Sequence, residues 1–221
     1  FRFAHVADLL ETPPPLRWIV REYLPPKAHL LLFGEPATCK SLCALDVVGC
    51  IVTGRAWNGR RTALGVVFYI AGEGHFGLRR RAKAWAISNG CEAELMKAPL
   101  YVSSLGASLA QRESADRVIA EIDEIAKSCG APDLVVIDTL HRNLGGDENA
   151  SEDIGKLLVF LDEIRDRYGC ATLTVHHSGH GDKKRSRGSS AIRGGFDGEF
   201  RMERTGDVLT LSCPEKMKDA P

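Results

Sequence analysis

The chain has 221 residues, 44% of them hydrophobic, and carries 29 Lys plus Arg against 29 Asp plus Glu. A formal net charge of zero excludes binding to nucleic acid through the field of the whole protein, and the apolar content excludes a disordered chain. Seven cysteines, an odd number with no C-x-x-C spacing, argue against a disulfide framework or a zinc site and for a reducing, cytoplasmic setting.

No signal peptide or bilayer-spanning apolar stretch is present, so no membrane partner is expected. The first residue is Phe1 rather than Met, which suggests a fragment of a longer polypeptide. Residues 1–28 are proline-rich and read as a lead-in segment packed on the domain edge; 29–213 read as one α/β domain and 214–221 as a tail. The apolar run 29–33 reads as a strand, followed by Gly-Glu-Pro-Ala-Thr-Cys-Lys-Ser at 34–41 and a helix-like stretch at 42–53. Strand, glycine-led loop and helix form a phosphate cradle, with backbone N–H groups around a β-phosphate, a lysine on the β/γ oxygens and a serine on Mg²⁺. Gly34, Glu35, Pro36, Ala37, Thr38, Cys39, Lys40, Ser41 and Leu42 are therefore the candidate nucleotide-binding residues, and the expected ligands are ATP and Mg²⁺. Cys39 stands where such loops carry their last glycine, and its side chain is expected to crowd the phosphate. A turn that binds nothing is the alternative reading of these residues.

Further along, unalternating apolar runs at 66–70, 134–137 and 171–175 suit strands buried on both faces of a parallel sheet. The 3.6-residue period predicts helices over 112–128 and over 152–168, the second behind the N-cap candidate Ser151. Segments 199–204 and 207–212 flank Thr205-Gly206 as a C-terminal β-hairpin on the sheet edge. Ligands of such a sheet sit at the carboxyl ends of its strands. There the sequence places Glu73 after 66–70, Asp138 after 134–137 and His176, His177 and Ser178 after 171–175. An acidic residue ending an apolar strand is the pattern of a Walker B element, which makes Asp138, with Ser41, the candidate metal ligand. Taken singly, Asp138 also suits a helix cap, Glu73 an exposed turn, and the histidines a metal site or a buried polar pair. Arg79, Arg80, Arg81 and Lys83 read as a solvated or subunit-contact face of a helix, and Trp57, Trp85 and Tyr101 as packing residues.

As a set, residues 34–41, Tyr69-Ile-Ala-Gly-Glu-Gly74, Val135-Val-Ile-Asp-Thr-Leu140 with Glu148-Asn-Ala-Ser151, Val175-His-His177 and Arg187-Gly-Ser-Ser190 resemble the RecA-like ATPase domain of hexameric replicative helicases. The likeness is to RepA-type plasmid helicases and the helicase parts of phage and plasmid primase-helicases, over roughly residues 28–205. It implies a RecA-like P-loop core, a homo-oligomeric, hexameric ring with ATP at the interfaces, and translocation on single-stranded DNA beside a primase or replication initiator. It also implies roles: Lys40 and Ser41 on phosphates and Mg²⁺, Asp138 on the metal, Glu73 positioning the attacking water, and His177, or else His176, sensing the γ-phosphate. The glycine-containing basic segment that follows, with Lys183, Lys184, Arg185 and Arg187, then suits the backbone of a single strand, although a solvated loop is the alternative. Arg193 is the first candidate for a catalytic arginine acting on a neighbouring subunit, ahead of Arg201 and Arg204. A RecA-fold regulator or recombination mediator that binds ATP and hydrolyses it weakly is the second functional reading, supported by Cys39; a small-molecule kinase fits poorly.

Overall fold

The computed structural model describes residues 3, 5–11, 16–72, 75–179, 183, 185–213 and 217, except the side chains of 9, 75 and 76. After a short helix α1 (Val6–Leu10) the chain runs β1 (His29–Gly34), α2 (Lys40–Thr53), β2 (Val67–Ala71), α3 (His75–Ser88), α4 (Glu92–Leu95), β3 (Leu100–Val102), α5 (Arg112–Cys129), β4 (Leu134–Asp138), α6 (Leu140–Leu144), α7 (Ser151–Tyr168), β5 (Ala171–His177), α8 (Ser190–Gly195), β6 (Gly198–Thr205) and β7 (Val208–Ser212). The strands form one seven-stranded sheet in the order β3-β2-β4-β5-β1-β6-β7. It is parallel up to β6, and β7 closes it as the antiparallel arm of a hairpin.

The apolar runs become β1, β2, β4 and β5 because both faces of the sheet are covered, so alternation has no use there. One face carries α2 and the lead-in residues Ile19, Val20, Leu24 and Ala28, which pack into the same core as Leu30, Leu32, Val67 and Val136. On the opposite face, Ile119 and Ile122 of α5 and Ile154, Leu157, Leu161 and Ile164 of α7 cover Leu31, Val135 and Ile137. Each such side chain stabilises the fold by about 1.5–3 kcal/mol when removed from water, which together offset the conformational entropy of ordering the sheet. Trp57 and Trp85 pack on the first face and share one acceptor: their Nε1 groups donate to the two oxygens of Asp46 at 2.8 and 2.7 Å. Tyr101 stacks on Phe68 with ring centroids 5.1 Å apart.

Three details differ from expectation. Ser151 is the first residue of α7 rather than its cap: Ala150 holds the cap position, and the Ser151 hydroxyl is paired with that of Ser189 at 2.8 Å. The hairpin turn falls at Gly206 and Asp207, one residue later than Thr205-Gly206, with Gly206 taking φ 60. The edge strand β3 was not expected at all.

Register decides where function can reside. Gly34 lies opposite His177, Ala71 opposite Asp138, and Asp138 opposite Val175, so the carboxyl ends of β1, β5, β4 and β2 lie side by side. Position 34 admits only glycine, because a Cβ there would stand 2.3 Å from the carbonyl oxygen of Met202 on β6.

Candidate nucleotide-binding site

The loop between β1 and α2 is shaped by two left-handed residues, Ala37 at φ 64 and Cys39 at φ 63. This conformation turns the chain into the N-terminus of α2, where the first amide groups have no helical partners and the helix dipole favours an anion. The Lys40 side chain is buried against the loop, its Nζ donating to the carbonyls of Gly34 at 3.0 Å and Glu35 at 2.7 Å. Burial pulls the Lys40 ammonium below its usual range, and the neighbouring Asp138 carboxylate counters part of that shift. Thr38 is buried and fastens the loop by donating to Glu35 O at 2.8 Å; Glu35, Pro36, Ala37 and Leu42 are exposed.

Cys39 lines the cavity and also bears on the loop through its backbone. A left-handed non-glycine residue is strained by about 1–2 kcal/mol, whereas a glycine at that position costs about 0.5–1 kcal/mol in unfolded-chain entropy. Strain is the larger, so Cys39→Gly is expected to stabilise the fold by about 0.5–1 kcal/mol and to tighten nucleotide binding. Urea unfolding together with titration of a fluorescent ATP analogue checks this; lower stability in the variant would show that the sulfur makes contacts that outweigh the strain.

Opposite the loop, Asp138 Oδ1 accepts from the Ser41 hydroxyl at 3.0 Å and Oδ2 from the Tyr69 hydroxyl at 2.5 Å. Burial and the adjacent carboxylate push the Tyr69 hydroxyl well above its usual range, so it stays a donor and aims Asp138 at Ser41. The peptide between Asp138 and Thr139 is cis. A cavity of about 390 Å³ is lined by Ala37, Cys39, Lys40, Ser41, Leu42, Arg81, Asp138, Thr139 and His177. Its hard oxygen donors, Ser41 and Asp138, match Mg²⁺, and its cations Lys40 and Arg81 match phosphate, so the residues fit a metal-bound nucleotide.

Arg81 was missed in the sequence, where it is one of three consecutive arginines. Arg79 and Arg80 are exposed, whereas Arg81 is half-buried and turned to the cavity, its Nε donating to Gly77 O at 3.2 Å. Tyr69, which opens one of the motifs carrying the resemblance but has no role of its own there, also reaches the site through Asp138.

The other expected residues fall as follows. Glu73 lies outside the described residues; its neighbour Gly72 donates its N–H to Asp138 O at 2.7 Å. Lys184 also lies outside them. Lys183 is exposed and its Nζ sits 2.8 Å from a Glu35 carboxylate oxygen, while Arg185 is exposed. Arg187 is not a free cation of the basic loop: its guanidinium turns inwards to the buried Glu148. Arg193 lies on α8, 3.9 Å from Glu199, and does not line the cavity of its own chain.

His176 and His177 divide between core and cavity. His177 reaches the cavity, whereas His176 is fully buried and donates from Nε2 to Arg187 O at 2.8 Å. Burial lowers the His176 imidazole to about 4 from its usual 6.5, with the Arg187 carbonyl opposing the shift. As pH falls the unfolded chain takes up this proton first, so stability is intact above pH 6.5 and declines towards pH 4, by about 3 kcal/mol in all. His29, also buried and lowered, acts in the same direction. His176→Gln keeps a donor for Arg187 O but does not titrate, so urea unfolding across this window should show a shallower pH slope than wild type; identical slopes would contradict the assignment.

The chain matches the family described as AAA domain over residues 1–183. No curated protein matches it. Among solved structures, it is similar to the KaiC-like protein PH0186 from the hyperthermophilic archaeon Pyrococcus horikoshii OT3, at 17% identity, a TM-score of 0.58, and 93% and 90% of the two chains covered. At that identity the likeness speaks for the RecA-type fold, and the helicase resemblance read from the motifs is not distinguished by it. Together with the phosphate loop facing Asp138, these findings show that the chain belongs to the AAA domain family and is a RecA-like P-loop ATPase.

Proposed function

We propose that this ATPase is the motor domain of a DNA helicase, hydrolysing ATP to move along single-stranded DNA as part of a homo-oligomeric ring. The observation that carries the reading is the placement of the basic segment. It leaves β5 directly after His177, and its Lys183 reaches the phosphate loop at Glu35. A cationic segment that begins beside the cavity-lining His177 and pairs Lys183 with the phosphate loop suits a strand of phosphates whose grip changes with the nucleotide.

In this reading Ser41 and Asp138 would hold Mg²⁺, which would supply neutralisation of the phosphate charge. Lys40 exchanges its loop carbonyls for phosphate oxygens, and Arg81 adds a second cation from α3. His177 senses the terminal phosphate through a ring N–H, and Glu73 orients the attacking water, as the resemblance implies. An arginine of a neighbouring subunit, Arg193 first among the candidates, completes charge stabilisation, and a primase or replication initiator is the expected partner.

The strained Cys39 favours a second reading, an ATP-binding regulator or recombination mediator with weak hydrolysis. Steady-state ATP turnover with and without oligo-dT, alongside oligomer mass with and without ATP, separates the two. The motor reading expects DNA-stimulated turnover in the assembled ring, and is contradicted by assembly that proceeds with negligible or DNA-insensitive turnover.

No helix among the described residues is long and apolar enough to cross a membrane.

A further inference from the structure

The basic loop does not leave the sheet freely. It departs from His177 and returns at Arg187, where the Arg187 N–H donates to His177 O at 2.9 Å and Gly179 N–H to Arg185 O at 2.8 Å, closing a narrow stem. On its return side the stem meets Glu148, which lies between α6 and α7. Glu148 is buried, although Gly145, Gly146, Asp147 and Asn149 around it are exposed. Its carboxylate forms an ion pair with Arg187, through Nε and through Nη2 at 3.1 Å, and its Oε2 lies 3.1 Å from His141 Nδ1. The backbone repeats the attachment: Ser189 N–H donates to Glu148 O at 2.9 Å. Gly188 passes so close, at φ 95, that a Cβ would stand 2.5 Å from the same oxygen.

A buried ion pair is a poor route to net stability, because desolvating two charges offsets most of their attraction; what it fixes well is geometry. Here the geometry joins two strand ends of the nucleotide site. α6 begins directly after Asp138 and Thr139 and leads to Glu148, whereas Arg187 hangs from the residues that follow His177. A shift at Asp138 or at His177 is therefore felt at one pair of side chains. We propose that Glu148 is a positioning residue whose clamp on Arg187 ties the root of the 178–190 loop to the element leaving Asp138, so that the state of the nucleotide site sets the pose of the loop. The coupling to DNA rests on the motor reading above; the clamp itself does not.

Two variants test it in the full chain. Glu148→Gln removes the charge and leaves the side chain's size, and Gly188→Ala strains the same contact without touching a charge, which guards against a variant that merely fails to fold. Trypsin cleavage at Lys183, Lys184 or Arg185 reads the anchoring, and oligo-dT stimulation of ATP turnover reads the coupling. Both variants are expected to be cut in the loop, and to lose stimulation, by about fivefold or more, with basal turnover within about twofold of wild type. Wild-type rates of loop cleavage in both variants would overturn the proposal. Faster cleavage combined with a wild-type protein that DNA does not stimulate would support the clamp and remove the motor reading instead.

Discussion

Lys40→Ala is expected to reduce ATP turnover by about 10²–10³-fold or more while leaving the fold in place. Lys40 is the first residue of α2, and its buried ammonium donates to the loop carbonyls and is stabilised by the charge of Asp138. Stabilising charge on the transferring phosphoryl group requires a cation held at that place before the reaction begins, since a group reorganised during the reaction contributes less. Removing it does not orphan its acceptors: Gly34 O still accepts from Ser178 N at 3.0 Å, and Glu35 O from Thr38 Oγ1 at 2.8 Å. The loss should therefore appear in the chemistry, with the melting temperature changed by only a few degrees, at about 2–4 °C per kcal/mol for a chain of this size. Turnover near wild type in a well-folded Lys40→Ala protein would mean that phosphate is bound elsewhere.

Asp138→Asn is expected to act through the metal. The carboxylate accepts from Ser41 and Tyr69 at once, and an amide of the same shape can satisfy both, because a hydroxyl oxygen also accepts from an N–H. Folding survives on that account. Charge does not: Mg²⁺ loses its only described acidic anchor, and Lys40 loses the carboxylate that opposes its desolvation. Turnover should fall by about 10²–10³-fold, and the Mg²⁺ concentration giving half-maximal rate should rise by about tenfold or more. A Mg²⁺ titration of both proteins at saturating ATP measures this, and an unchanged half-point would remove Asp138 from the metal site.

How far the site could be read from residues alone differs from element to element. The buried parallel strands were legible because unalternating apolar runs have few other uses, and the loop at 34–41 because phosphate chemistry demands that order of residue types. Asp138 followed from its place at the end of such a run. The strand β3 left no comparable trace: Leu-Tyr-Val directly after Pro99 is too short to show a period, and none of its residues is fully buried, Val102 being exposed. Arg81 was hidden for a different reason. Nothing in three adjacent arginines marks which one turns inwards; in the fold Arg81 alone of the three lines the cavity. Arg187 was read as one cation of a basic segment because its partner Glu148 lies 39 residues earlier. Ser151 looked like a cap by residue type, but Ser189 from the returning loop competes for its hydroxyl. For Arg187 and Ser151 a contact made by the folded chain overrode a local pattern.

The account is tested most directly by a crystal structure with Mg²⁺ and a non-hydrolysable ATP analogue. It predicts the β- and γ-phosphates at the N-terminus of α2 with Lys40 Nζ on their oxygens, the metal between Ser41 and the Asp138 side, and His177 facing the γ-phosphate. A nucleotide bound away from the 34–41 loop, or one whose phosphates leave Lys40 and Asp138 in their present contacts, would contradict it.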